Sequence, residues 1–257
     1  MDGAGNADAI PSVGHALDLL RLLARHTEPL PAAAIARELA LPRSSTYRLL
    51  TTLADRGFVS HLRETGRFGL GAAAYELGSA YQRQAPLQRI AAPLLARLVD
   101  VTTHNAQLAV LNGRDVLYVV EERAAGRPRL VTDVGVRLPA ELTASGLAML
   151  ARLSPPQLRA LYPDAGVLVR REAAGPRTLA ELRRELTAVR SRGYAVEEGT
   201  VTSGLASVAV AVLDHTGHPV AAVASTYPRE AVDAAAEAAL AERVRRVALA
   251  VTARLGG

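Results

Sequence analysis

The sequence predicts an α+β protein in two parts: a winged helix-turn-helix, then a larger domain built on a mainly antiparallel sheet. Three observations predict it. The first 71 residues hold three helical patterns followed by two short strand-like runs around a polar turn. Further on, two pairs of β-rich runs are each joined by a turn signal, and helical patterns lie at both ends of that region. At 257 residues the chain is long enough for each part to bury a core of its own.

The elements follow in order. Residues 12–26 place Val13, Ala16, Leu17, Leu20 and Leu23 at helical intervals behind Ser12, a residue able to cap the helix. Pro31 stands where a first-turn proline opens a second helix that runs to Ala40, and Leu41 and Pro42 interrupt it. A third helix is expected over 43–56, ended by Gly57. Runs at 58–62 and 67–70 flank Arg63, Glu64, Thr65 and Gly66 as a hairpin, and 72–83 resumes a helical pattern as a linker helix. In the second part a helix is expected over 87–102, and strands over 106–111 and 116–120 around the Asn112-Gly113 turn. A strand at 130–134 and helices at 142–153 and 179–192 follow, the last closed by Gly193. Strands at 207–213 and 220–226 are joined through 214–217, and a helix over 230–255 closes the chain. The domains expected are a tail over 1–11, the winged helix-turn-helix over 12–71, the linker helix over 72–85 and the larger domain over 86–257.

Composition excludes several classes of function. The chain has no cysteine, which removes disulfides, thiolate nucleophiles and cysteine zinc sites. Of the histidines only His215 and His218 are close in sequence, and they sit in a turn-like segment, so no metal site is expected. No apolar stretch approaches the roughly 18 residues of a membrane span. Residues 1–11 lack the basic and apolar blocks of a secretory signal, which predicts a cytoplasmic protein. A net charge of +5 permits a polyanionic partner. All the basic residues are arginine, yet residues 1–85 hold nine Arg against eight acids, so position rather than bulk charge must locate a nucleic-acid site.

The third helix supplies that position. At 100° per residue, Ser44, Ser45, Thr51, Thr52 and Asp55 fall within about 60° of Arg48, while Thr46, Leu49, Leu50 and Leu53 fall opposite. A face of short hydroxyls around one arginine can enter a major groove about 12 Å wide, where Arg pairs with guanine O6 and N7. Arg43 is placed for phosphate, and Tyr47 is expected to pack inward with its hydroxyl toward phosphate. Arg63 and Arg67 flank the hairpin turn, within reach of an adjacent minor groove. The expected partner is double-stranded DNA with a pseudo-palindromic operator.

Several motifs in order carry a resemblance. Residues 12–23 (SVGHALDLLRLL), 41–59 (LPRSSTYRLLTTLADRGFV), 68–71 (FGLG), 135–146 (GVRLPAELTASG), 192–198 (RGYAVEE) and 204–214 (GLASVAVAVLD) together resemble the IclR family of bacterial transcription regulators. The resemblance spans about 12–254. It implies a GAF-like effector domain in the second part, a homodimer or dimer of dimers, no cofactor, and DNA binding modulated by a small organic effector. It also implies a pocket at Leu130, Ala144, Ser145, Glu197, Leu205, Ser207, Ala224 and Thr226. Strand alternation gives part of this independently, since Leu205, Ser207 and Ala209 share a face, as do Ala224 and Thr226. Leu147 stands where relatives often carry Lys, and Ala224 where many carry Ser. Glu197 in such a pocket disfavours a simple anion unless it binds a cation, accepts a hydroxyl donor or is protonated.

Two other readings are open to the residues. One is a small hydrolase with Ser145 or Ser207 as nucleophile and His104 as base, although neither serine sits in a G-x-S-x-G elbow and no phosphate loop is present. The other is a DNA-binding oligomer whose second domain takes no ligand.

Overall fold

The computed structural model describes residues 10–26, 28–84, 86–126, 130–169 and 175–255. The expected tail lies outside them apart from its last residues. The chain forms two compact units, residues 1–84 and 85–257, taken in turn.

In the smaller unit, α1 (Pro11–Arg25) opens on Pro11, whose preset φ and missing N–H suit a first turn. Ile10, not Ser12, is the cap residue, and no side chain caps the helix. A two-residue strand β1 (Leu30–Pro31) precedes α2 (Ala32–Glu38), so Pro31 caps the helix rather than entering it. The helix stops short of Ala40, which takes a left-handed φ of 52°. Next come α3 (Arg43–Asp55) and the hairpin of β2 (Val59–Leu62) and β3 (Arg67–Leu70), in a sheet ordered β1-β3-β2. Leu19, Leu22, Leu23, Ile35, Leu50, Val59 and Phe68 form the core beneath. Gly71 is required by close approach: a Cβ there would lie 2.2 Å from the Gly57 carbonyl oxygen. Directly after it, α4 (Ala72–Gln84) ends the unit.

The larger unit starts with α5 (Pro86–Thr102), then β4 (Asn105–Asn112) and β5 (Asp115–Glu122) around the Asn112-Gly113 turn. No strand forms at 130–134; a loop leads instead to a short β6 (Arg137–Pro139). A 3-10 turn at Ala140–Leu142 delivers the chain into α6 (Ala144–Leu150), shorter than the helix expected over 142–153. Thr143 sets its start by accepting the Gly146 N–H at 2.9 Å. A capping box of Ser154 and Gln157 begins α7 (Pro155–Leu161), which the apolar pattern alone did not predict. Then α8 (Leu179–Arg192), closed by Gly193 at φ 84°, is followed by β7 (Ala195–Glu198), β8 (Leu205–Leu213), β9 (Pro219–Pro228) and α9 (Ala234–Arg254). The helix expected from residue 230 begins where Asp233 accepts the Ala236 N–H.

The six strands form one antiparallel sheet ordered β6-β5-β4-β9-β8-β7. Its two faces differ in side-chain size. Leu108, Val208, Val210, Val212 and Val223 face α5 and α9, whereas Ala109, Ala209, Ala222 and Ala224 face α6 and α8. Alanines let a helix lie close, and Gly146 lets α6 meet the chain that feeds it, since a Cβ there would stand 2.0 Å from the Ala140 carbonyl oxygen. Gly146→Ala is expected to destabilise this unit by about 1–3 kcal/mol or more, as overpacking does. Thermal unfolding of the purified variant measures it, and an unchanged midpoint contradicts the packing described.

Candidate functional site

Each unit holds one candidate site. In the smaller unit, packing through Thr46 and Leu50 turns the opposite side of α3 outward. Arg43, Ser44, Arg48, Thr51 and Thr52 are exposed and Ser45 is half-buried. Tyr47 does not pack inward. It is 55% exposed beside Arg48, because its place on the helix falls at the margin of the buried stripe rather than within it. The Thr52 hydroxyl donates to the Arg48 carbonyl at 2.9 Å and keeps its lone pairs for a partner. The guanidinium groups of Arg43, Arg48 and Arg63 make neither an ion pair nor a hydrogen bond among the described residues. Arg67 donates to the Pro29 carbonyl at 3.1 Å, which fastens the base of the hairpin and leaves Arg63 the uncommitted guanidinium at its tip. His61 stacks on Phe68 with ring centroids 4.4 Å apart, stiffening the same hairpin.

In the larger unit, the alanine face of the sheet, the start of α6 and the loops after β5 and β7 line a small cavity that is partly open at its mouth. Leu130, Ala144, Ser145, Glu197, Leu205, Ser207, Ala224 and Thr226 all line it, so residues from five separate stretches of sequence meet at one place. Gln107, Tyr118, Thr132, Thr143, Val201 and Thr202 complete the wall and were not anticipated. A signal for Gln107 was present: it is a lone amide within the apolar run of β4. What hid it was the register, which pairs it with Ala224 on β9.

The polar groups of this wall form a chain. Ser207 and Thr226, opposite each other in register, have hydroxyls 2.9 Å apart, and Thr226 donates to Gln107 Oε1 at 3.3 Å. Glu197, opposite Ser207 on β7, accepts backbone N–H groups from Thr200 and, at 3.0 Å, from Val201. Burial raises its pKa above the ordinary 4.5, an effect these N–H groups oppose. Burial likewise raises the Tyr118 phenol, which stays protonated. The Ser145 hydroxyl lies near that phenol but meets no partner at hydrogen-bonding geometry. Leu147 is buried among the side chains under α6 rather than in the cavity wall.

This geometry does not bring His104 to either serine. His104 packs against the Tyr227 ring, at 5.8 Å between centroids, and Tyr227 belongs to the core on the α5 and α9 face. Ser207 and Ser145 line the cavity on the other.

Comparison with known proteins decides the family. Residues 12–63 match the IclR helix-turn-helix domain, and residues 79–253 match the family described as bacterial transcriptional regulator IclR C-terminal. The chain belongs to the IclR family of bacterial transcriptional regulators. It is 31% identical over 229 residues to the HTH-type transcriptional regulator BhcR of Paracoccus denitrificans, spanning 88% of this chain and 80% of that one. Its identity to the transcriptional repressor IclR of Escherichia coli is 28% over 221 residues, 85% of this chain and 80% of the relative. Among solved structures, an IclR homolog from Microbacterium hydrocarbonoxydans complexed with 4-hydroxybenzoate superposes with a TM-score of 0.78 at 24% identity, covering 94% of this chain and 98% of that one. The IclR fold thus accounts for both the winged helix and the mixed helix-and-sheet unit. Among the described residues no helix is long and apolar enough to cross a membrane.

A raised carboxyl pKa means the folded chain holds its proton to higher pH than the unfolded one, so Glu197 makes stability fall as pH rises from the ordinary carboxylate range upward. Glu197→Gln should therefore gain stability relative to wild type with increasing pH. Urea unfolding of both proteins between pH 4 and 8 measures this, and parallel pH profiles contradict it.

Proposed function

We propose that this IclR-family chain is a cytoplasmic regulator that binds a pseudo-palindromic operator as a homodimer or dimer of dimers, with occupancy set by a small organic molecule in the cavity. The observation that carries the DNA half is the exposed α3 face, where Arg48 stands among hydroxyls and forms no ion pair among the described residues. On this reading Arg48 pairs with a base edge, and Ser44, Ser45, Thr51 and Thr52 contact bases or phosphates. Arg43 and the Tyr47 hydroxyl hold the backbone, and Arg63, with Arg67 behind it, reaches the neighbouring minor groove.

The observation that carries the sensing half is the cavity with its unpartnered buried polar atoms. That the Microbacterium homolog is complexed with 4-hydroxybenzoate supports a small organic ligand for this chain, and on this reading neither cofactor nor metal is required. The serines act as hydrogen-bonding wall rather than as nucleophiles. Chain continuity makes α4 the covalent route between the two units, and the ligand changes operator occupancy only through unequal affinity for the two states.

Fluorescence anisotropy against DNA selected from random sequence tests the reading. Arg48→Ala should lose about 1–3 kcal/mol for the selected site and relax its sequence at one position. Arg43→Ala should weaken all sequences alike and reduce the salt slope by about one. Thr202→Leu, which crowds the cavity from the loop after β7, should bind operator as wild type does yet respond less to ligands that shift the wild type. Failure to select any sequence above scrambled DNA overturns the proposal.

A further inference from the structure

The cavity wall is short of partners in a particular sense. Of the five buried side-chain atoms with no hydrogen-bond partner among the described residues, three belong to its lining: Gln107 Nε2, Thr132 Oγ1 and Ser145 Oγ. These residues are at most 7% exposed. Groups so deeply buried are normally satisfied, so their grouping around one space marks the space as built for a polar occupant. The Gln107 amide is oriented from behind, because Thr226 donates to its Oε1 and so leaves the N–H side for the cavity. That side can only donate.

Glu197 supplies the opposite polarity. Its Oε1 takes both backbone N–H groups of the following loop, and Oε2, with the Thr200 and Ser207 hydroxyls close by, has lone pairs to offer an occupant. Among the described lining residues Glu197 alone carries a carboxyl group, Tyr118 being held protonated by burial. A ligand carboxylate would share this space with the Glu197 carboxyl, and two carboxyl groups side by side cannot both ionise without cost. A ligand offering one acceptor and one donor would satisfy both ends.

Taking this cavity to be the effector site, we propose that the effector is an uncharged small molecule that couples a carbonyl to an N–H or O–H donor, as amides and lactams do. The carbonyl oxygen accepts from Gln107 Nε2 and the Ser145 hydroxyl, and the donor is directed to Glu197. Gln107, on a strand that none of the sequence motifs covers, becomes the residue that sets specificity for the oxygen.

Matched acid and amide pairs on shared skeletons test the class: butanoate and butanamide, benzoate and benzamide, nicotinate and nicotinamide. Each is titrated into the full-length protein by calorimetry and by thermal unfolding. The amide of at least one pair should bind at least tenfold tighter than its acid. Gln107→Leu should lose that amide at least tenfold, and Glu197→Gln should narrow the gap between acid and amide at least tenfold. The wild-type preference decides even where a variant fails to fold. Acids that bind as tightly as their amides, or no binding by any pair, overturn the class. A binding acid that also shifts operator affinity leaves the regulator reading standing, whereas that reading falls on the operator selection alone.

Discussion

The larger unit depends on how closely α6 can lie against its sheet. Alanines at 109, 209, 222 and 224 lower one face of the sheet, and Gly146 removes the side chain that would collide with the Ala140 carbonyl. Larger residues at those places would hold the helix off and bury the polar groups at its start elsewhere. With the helix seated, Ser145 and Thr143 are brought over Ser207, Thr226 and Gln107, and the space left between them is the cavity. The opposite face, filled by valine and leucine under α5 and α9, carries the ordinary packing, so one sheet serves stability on one side and recognition on the other.

The smaller unit follows the same division along a single helix. Thr46 and Leu50 bind α3 to its neighbours, and that attachment fixes which residues are presented outward. The uncommitted arginines matter because an arginine already paired with a carboxylate would have to give up that pairing to meet DNA. Arg67 shows the alternative use: it is tied to the Pro29 carbonyl and steadies the hairpin from which Arg63 projects.

Much of this was legible in the sequence wherever a local rule decided it. The hairpin turns at Asn112-Gly113 and 214–217, the glycine after α8 and the two-sided pattern of α3 each depend on neighbours a few residues away. Elements whose formation depends on distant partners were not legible. The edge strands β6 and β7 are too short for a periodic pattern, and the strand expected at 130–134 has apolar residues but makes no ladder pairing among the described residues. Ser12 has the side chain of a cap, but Pro11 takes the first turn and puts Ser12 inside the helix. In the cavity, the residues carried by family motifs came together as a group, while Gln107 and Tyr118 were hidden because only the register of β4, β5 and β9 brings them there, and Thr132 because it lies on the loop before β6.

The central claim is that occupancy of the cavity and occupancy of the operator are states of one equilibrium. Thermodynamic linkage makes this testable without knowing the path between the units: if a ligand changes operator affinity by some factor, the operator must change ligand affinity by that same factor. Calorimetric titration of one stabilising ligand into the free protein and into the protein–operator complex measures it. The account predicts two ligand affinities whose ratio equals the shift in operator affinity, on the order of 5–150-fold. Equal ligand affinities in the two titrations would contradict it.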